Sequence, residues 1–186
     1  MSSSLLDPAG PWTFDQLVDL PDDGRRYEVV DGHLVVTPPP SQEHQIVSSR
    51  LFRQLLEQCT AEWEAVVEFA LPLGSDGRVP DLAVVRRRAL SFDPRPYPQG
   101  PAEFGLVVEV TSPSTRKTDL FAKPGEYAEA GIPLFWRVER TPELAVHAFM
   151  LGSTGYREVT VVRGAGGTCP APWGDVDIDL ERVRTG

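Results

Sequence analysis

Apolar and polar residues change period several times along the chain, and each change marks an element. Val47, Leu51, Phe52 and Leu55 recur at helical spacing behind Ser41, a residue type that caps helix N-termini, so a helix is predicted over residues 42–59. Thr13 and Gln16 have the spacing of a capping box and open a short helix that ends near Leu20. Residues 21–24 form a turn. Residues 27–36 are apolar on both sides of Asp31-Gly32, the two-residue signal of a hairpin, and Pro38-Pro39-Pro40 ends it. Strands are predicted over residues 65–73, 79–85, 106–111, 134–139, 144–151 and 156–163. Residues 86–105, rich in Arg, Pro and Gly, read as a long loop. Residues 116–130 have a helical pattern that Pro124-Gly125 is expected to kink or break. Residues 164–174 read as loop and 175–183 as a short acidic helix. This order of elements predicts a mixed α/β (α+β) domain, a central sheet flanked by helices. A loose arm over residues 1–11 precedes a single domain over 12–186.

Composition fits that picture. A chain of 186 residues, 41% hydrophobic and 24% charged, is long enough to bury a sizeable core as one globular domain. No apolar run approaches the roughly 20 residues that cross a bilayer. The first ten residues lack the basic and apolar regions of a signal peptide, so the expected compartment is the cytoplasm. Cys59 and Cys169 match no metal spacing and are expected to be reduced thiols.

Charge narrows the partners. A net charge of -9 argues against a sequence-independent coat on nucleic acid, which needs a basic surface. It leaves room for a local basic groove, and Arg25-Arg26, Arg86-Arg87-Arg88 and Arg116-Lys117 are the clusters available. Only two of the 18 basic residues are lysines, Lys117 and Lys123. A position that keeps Lys is informative, because an ammonium does point-charge and proton-transfer work that a guanidinium does not.

The chemistry lies in acids placed where strands are otherwise apolar. Asp81 sits in Val79-Pro80-Asp81-Leu82-Ala83-Val84-Val85, and Glu109 in Leu106-Val107-Val108-Glu109-Val110-Thr111. A buried carboxylate needs a donor, a cation or a metal, and two brought together repel unless a cation lies between them. Oxygen ligands suit Mg²⁺ or Mn²⁺. Glu109 and Thr111 share a strand face, so Thr111 holds the place where a metal nuclease often carries its lysine. Lys123, four residues after Asp119 on one helical face, is the first candidate to supply the amine, and Lys117 the second. Glu28 is a further acid in an apolar strand, and His44 faces the sheet from the helix. Structural explanations stand beside these. Asp81 could be a turn and cap. Glu109 could pair with an Arg across the sheet. Asp119 with Lys123 could be a surface pair, His44 a hydrogen-bonded core residue, and Ser114 or Thr115 a helix cap.

Taken in order, several segments resemble the Uma-type restriction endonucleases of the PD-(D/E)XK nuclease superfamily. They are Tyr27 to Gly32, Pro38 to Ser41 with His44-Gln45, Val79 to Val85, Val108 to Thr115, Asp119-Leu120 with Lys123, Tyr127 with Gly131-Ile132-Pro133, and Phe135 to Glu139. The resemblance spans about residues 12–163. It implies a restriction-endonuclease-like fold and a divalent-metal site, Mg²⁺ or Mn²⁺, with Asp81, Glu109 and the Val110 carbonyl as ligands. It makes Lys123 the migrated lysine and Glu28 the added acid; His44, Thr111, Ser112 and Asp119 are candidate supporting residues beside them. Arg86, Arg87, Arg88, Arg116 and Lys117 become candidate phosphate contacts. It implies a nucleic-acid partner, DNA in the first place, and a homodimer that presents one site to each strand. The chain departs from the family where Pro124-Gly125 follows the lysine and where Glu139 replaces a terminal aspartate. A nuclease fold used only as a nucleic-acid or protein-binding module is the alternative.

Overall fold

The computed structural model describes residues 10–21, 23–91, 100–111 and 122–186. Ser112, Arg116, Lys117 and Asp119 lie outside the described residues. Among the described residues, twelve strands and three α-helices alternate with short 3-10 turns. The strands are β1 (Arg26–Val30), β2 (His33–Thr37), β3 (Trp63–Val67), β4 (Leu71–Leu73), β5 (Asp76–Arg78), β6 (Leu82–Arg86), β7 (Phe104–Val110), β8 (Leu134–Glu139), β9 (Ala145–Gly152), β10 (Gly155–Val162), β11 (Gly166–Ala171) and β12 (Gly174–Asp179). The helices are α1 (Gln42–Gln58), α2 (Lys123–Glu129) and α3 (Leu180–Thr185).

A mixed six-stranded sheet in the order β10-β9-β8-β7-β6-β3 forms the centre; β7 and β8 run parallel and the other neighbours antiparallel. One face carries Leu82, Val84, Leu106, Val108 and Trp136 and is covered by Val47, Leu51 and Leu55 of α1. Ala83, Val85, Val107 and Phe135 on the other face pack against Tyr127 of α2 and Ile132. The central strands are apolar on both faces because both are covered, which is why they read as continuous apolar runs. A second sheet, β2-β1-β5-β4, packs with the 3-10 helix Phe14–Asp19 around Val29, Ala70 and Val79.

Most elements lie where the pattern placed them. Ser41 caps α1 by accepting from the His44 N–H at 3.3 Å. Asp31 and Gly32 turn the β1–β2 hairpin at φ 49° and 71°, the left-handed pair of a type I′ turn. The short helix after Thr13 has its capping box but winds as a 3-10 helix. The single strand expected over 65–73 is two. Glu68, at φ 46°, breaks it and passes the chain from the six-stranded sheet to the four-stranded one. Of the helix expected over 116–130, residues 123–129 form α2 with Pro124 in its first turn, a position that tolerates a missing N–H, while residues 116–121 lie outside the described residues.

The C-terminal region differs from the sequence expectation. Residues 166–179 form the β11–β12 hairpin in place of a loop and an acidic helix, and only Leu180–Thr185 is helical. Val176 and Ile178 are buried and alternate with exposed Asp175 and Asp177, a strand period that the acidic composition obscured. Gln54 and Gln58 of α1 dock on this hairpin. Gln54 accepts from the Asp179 N–H at 2.8 Å and donates to its carbonyl at 3.0 Å; Gln58 does the same at Asp177, at 2.9 Å in each direction. One helical turn of about 6 Å between positions i and i+4 nearly matches two strand residues of about 6.8 Å, so two side-chain amides complete the edge of β12.

Candidate active site

Asp81 precedes β6 directly, and the β6–β7 register, in which Leu82 faces Val108, extends by one residue to set Asp81 across from Glu109. Both carboxylates are buried, 4% and 1% exposed. Asp81 accepts from the Arg26 guanidinium at 2.9 Å, from the Val110 N–H at 2.8 Å, and is bonded to His44 Nε2 at 3.1 Å. Glu109 accepts from Lys123 Nζ at 2.9 Å through one oxygen and from the Tyr127 hydroxyl at 2.6 Å through the other. Lys123 and Tyr127 are four residues apart on α2, hence on one helical face, and that face lies against β7. Lys123 also acts through space on Asp81, lowering its carboxyl pKa. The structure thus brings Asp81, Glu109 and Lys123 together, with His44 on the α1 side.

Glu28 lies beside this cluster in a triad of its own. It accepts from Arg78 at 3.2 Å and from the Val79 N–H at 2.9 Å, while Arg78 also grips Glu126 of α2 with two hydrogen bonds of 2.7 and 2.6 Å. The triad ties β1 to α2, and the charges of Glu28 and Arg78 reach the Tyr127 hydroxyl. Burial first, then Glu109, push that hydroxyl well above its ordinary pKa, so Tyr127 stays a proton donor toward the carboxylate.

The sequence of the Uma2 family, described as "Putative restriction endonuclease", matches residues 14–171. The chain belongs to the Uma2 family. The crystal structure of "a putative nuclease belonging to DUF820" from Anabaena variabilis has a similar fold, with a TM-score of 0.70 over 93% of this chain and 97% of that one at 17% identity. No curated protein matches.

Within this Uma2 chain, other expected site residues lie elsewhere. Thr111 donates its hydroxyl to the Val138 carbonyl at 3.1 Å, and its own carbonyl accepts from Arg140 at 2.9 Å, so it fastens the end of β7. Arg86 ends β6, roughly 17 Å from Asp81 at about 3.3 Å per residue, and Arg87 and Arg88 follow it. Each is engaged locally. Arg86 lies over the Trp63 ring at 4.1 Å and near Glu62, Arg87 pairs with Glu64 at 2.8 Å, and Arg88 takes Glu103 with two bonds of 3.2 Å. Sequence reasoning missed Arg26, Tyr127 and Arg78 as site residues. A signal existed for the first two. Arg26 stands two residues before Glu28 on one strand face, and Tyr127 stands one helical turn after Lys123.

The donor chemistry fits a hard divalent cation, because Asp81 and Glu109 offer carboxylate oxygens from facing positions of neighbouring chain segments. Among the described residues, no group of three or more His, Cys, Asp or Glu side chains could hold a metal ion. From the described residues, an ion there would draw on Asp81, Glu109 and main chain, the Val110 carbonyl being the nearest expectation. Its carboxylate ligands now accept from Arg26, His44, Lys123 and Tyr127, so protein donors balance the charge an ion would balance.

The same contacts set an acid dependence. Burial raises the Asp81 carboxyl pKa, but the hydrogen bond and charge of His44, with the charges of Arg26 and Lys123, outweigh it and hold it below the ordinary 3.8. A depressed carboxyl stabilises the fold above its unfolded pKa, and that stability disappears as pH falls through the folded value. The stability gap between wild type and Asp81→Asn should stay constant down to about pH 5 and narrow below about pH 4. Denaturant unfolding followed by circular dichroism across that range measures it; a gap unchanged to pH 2 would contradict the assignment.

Proposed function

We propose that this chain is a metal-dependent endonuclease that hydrolyses phosphodiester bonds of DNA, with Asp81, Glu109 and Lys123 as its catalytic groups. The observation that carries this reading is the convergence of two buried carboxylates and a buried ammonium, with Lys123 Nζ 2.9 Å from Glu109. Asp81, Glu109 and the Val110 carbonyl would hold Mg²⁺ or Mn²⁺. When bound, that ion polarises a phosphoryl oxygen and lowers the pKa of a water it carries. Lys123 orients the attacking water or offsets the negative charge that grows on the phosphoryl oxygens, and its recessed position in a low-dielectric site strengthens either effect. Tyr127 holds Glu109 in place by its short hydrogen bond, and Arg26 and His44 do the same for Asp81. Glu28, through Arg78 and Glu126, fixes α2, which carries the lysine. The enzyme acts in the cytoplasm, and a homodimer supplies a second site for the second strand. Among the described residues, no helix is long and apolar enough to cross a membrane.

A second reading has an observation in its favour. Each carboxylate already has protein donors, as in a structural ion-pair network, so the domain could be a silent nuclease fold that only binds a partner. Incubation with supercoiled plasmid DNA separates the two. Wild type with Mg²⁺ should convert it to open-circle and linear forms, and a chelator should stop this. Intact plasmid with Mg²⁺ and with Mn²⁺ would favour the silent module.

A further inference from the structure

The edge strand of a sheet offers unpaired main-chain groups to another chain, and proteins guard such edges with charge, proline, a bulge or a cover. Most edges among the described residues are guarded. β3 carries Glu64, β4 and β11 carry Pro72 and Pro170, β10 has a bulge between Glu158 and Thr160, and the amides of Gln54 and Gln58 cap β12. β2, at the edge of the four-stranded sheet, has none of these. Residues 32–42 hold no Asp, Glu, Lys or Arg, in a chain of net charge -9. Val35 and Val36 point to opposite faces of the strand and are 38% and 44% exposed, so neither face is covered there.

The hairpin register says which groups are free. The two-residue turn at Asp31-Gly32 makes Val30 and His33 a hydrogen-bonded pair, and Glu28 and Val35 the next. Leu34 and Val36 therefore turn their N–H and C=O groups away from β1, and among the described residues nothing bonds them. These groups lie symmetrically about Val35. Two such strands set antiparallel about a two-fold axis at Val35 bring Leu34 of each copy against Val36 of the other and exchange four hydrogen bonds. Neither bond of the next pair, Gly32 with Pro38, is available: Asp76 takes the Gly32 N–H at 3.2 Å, and proline has none. The free edge thus ends where its own symmetry ends. Its lack of charge adds a second argument, because copies that repel through their net charge meet most easily along an uncharged strand.

We propose that β2 is the interface between two copies of this chain, joined antiparallel about a two-fold axis at Val35 into one continuous sheet. The axis stands perpendicular to that sheet. Arg26 and Glu28, which share the Val35 face, therefore open to the same side in both copies, with the two β1 strands about 14 Å apart at about 4.8 Å per strand. The inference deepens the homodimer of the nuclease reading and rests on it only for the use of two sites on one DNA. Its test needs neither metal nor DNA. Sedimentation of the full chain in EDTA, from about 1 to about 200 µM, should show the mass rise from 20.5 kDa toward twice that value, as a small interface predicts. Val35→Lys sets two like charges side by side on the axis and should leave a monomer throughout, with an unchanged circular dichroism spectrum. Val67→Lys, at an exposed residue of β3, should leave the dimer intact. Val35→Cys should give a disulfide-linked dimer on mild oxidation, because the Cα atoms of a non-hydrogen-bonded pair lie about 4.5 Å apart. Val36→Cys faces Leu34 rather than itself, and neither it nor wild type should cross-link. A monomer at every concentration would overturn the proposal. So would a dimer that survives Val35→Lys, one that Val67→Lys also dissociates, or cross-linking as strong through Val36→Cys as through Val35→Cys. If the dimer forms as expected and plasmid stays intact, the nuclease reading fails alone; if a monomer cuts plasmid, the pairing fails alone.

Discussion

Lys123→Met should lower the unfolding free energy by roughly 3–5 kcal/mol and abolish plasmid cleavage, the first by removing the ammonium from a carboxylate that is 1% exposed. Breaking a buried pair costs far more than an exposed pair gains, because the remaining charge keeps its desolvation penalty. For a domain of this size the melting temperature should fall by roughly 6–20 °C. Two companions separate stability from chemistry. In Lys123→Met with Glu109→Gln, no charge is left to desolvate, so most of the lost stability should return. Cleavage should not return. Lys123→Arg keeps the charge, but its planar fork cannot reproduce a compact ammonium 2.9 Å from Glu109, so activity should remain low. A single mutant as stable as wild type would show that the Lys123–Glu109 contact is not an energetic part of the fold.

Asp81→Asn should be the other severe change. Asp81 uses both oxygens as acceptors: one faces Arg26, the other His44 and the Val110 N–H. An amide of the same shape must turn its NH₂ toward one of these sides and set donor against donor. The expected loss is about 2–4 kcal/mol, the penalty of an unsatisfied buried partner to which a charged group contributes. Hydrolysis should fall to background, since one of the two carboxylates offered to the ion is gone. Thermal denaturation and plasmid conversion, run on the same preparation, read both effects; an Asn variant that retains wild-type cleavage would remove Asp81 from the catalytic set.

The site was legible where a residue contradicted its local pattern. Asp81 and Glu109 stood out because acids are costly in apolar strands, and the scarcity of lysine drew attention to Lys123. Tyr127 and Arg26 were less visible because an aromatic on a helix face and an arginine in a strand contradict nothing locally. Their importance depends on partners 18 and 55 residues away, Glu109 and Asp81, which only the folded sheet brings near. The arginines at 86–88 lie apart from Asp81 and Glu109. A conspicuous run suggested phosphate contacts, yet the strand carries it to the end opposite Asp81 and local acids take up its charge. The main sheet was readable because its apolar runs are long. The β11–β12 hairpin was not, since glycine, proline and aspartate mask an alternation that rests on Cys169, Ala171, Val176 and Ile178.

The central claim is that Asp81 and Glu109 form a divalent-metal centre. Calorimetric titration of Mn²⁺ into wild type and into Asp81→Asn tests it most directly. The account predicts binding at millimolar affinity or tighter in wild type, about one class of site per chain, and its loss in the variant while the variant remains folded. Equal binding in the two proteins, or none in either, would contradict it.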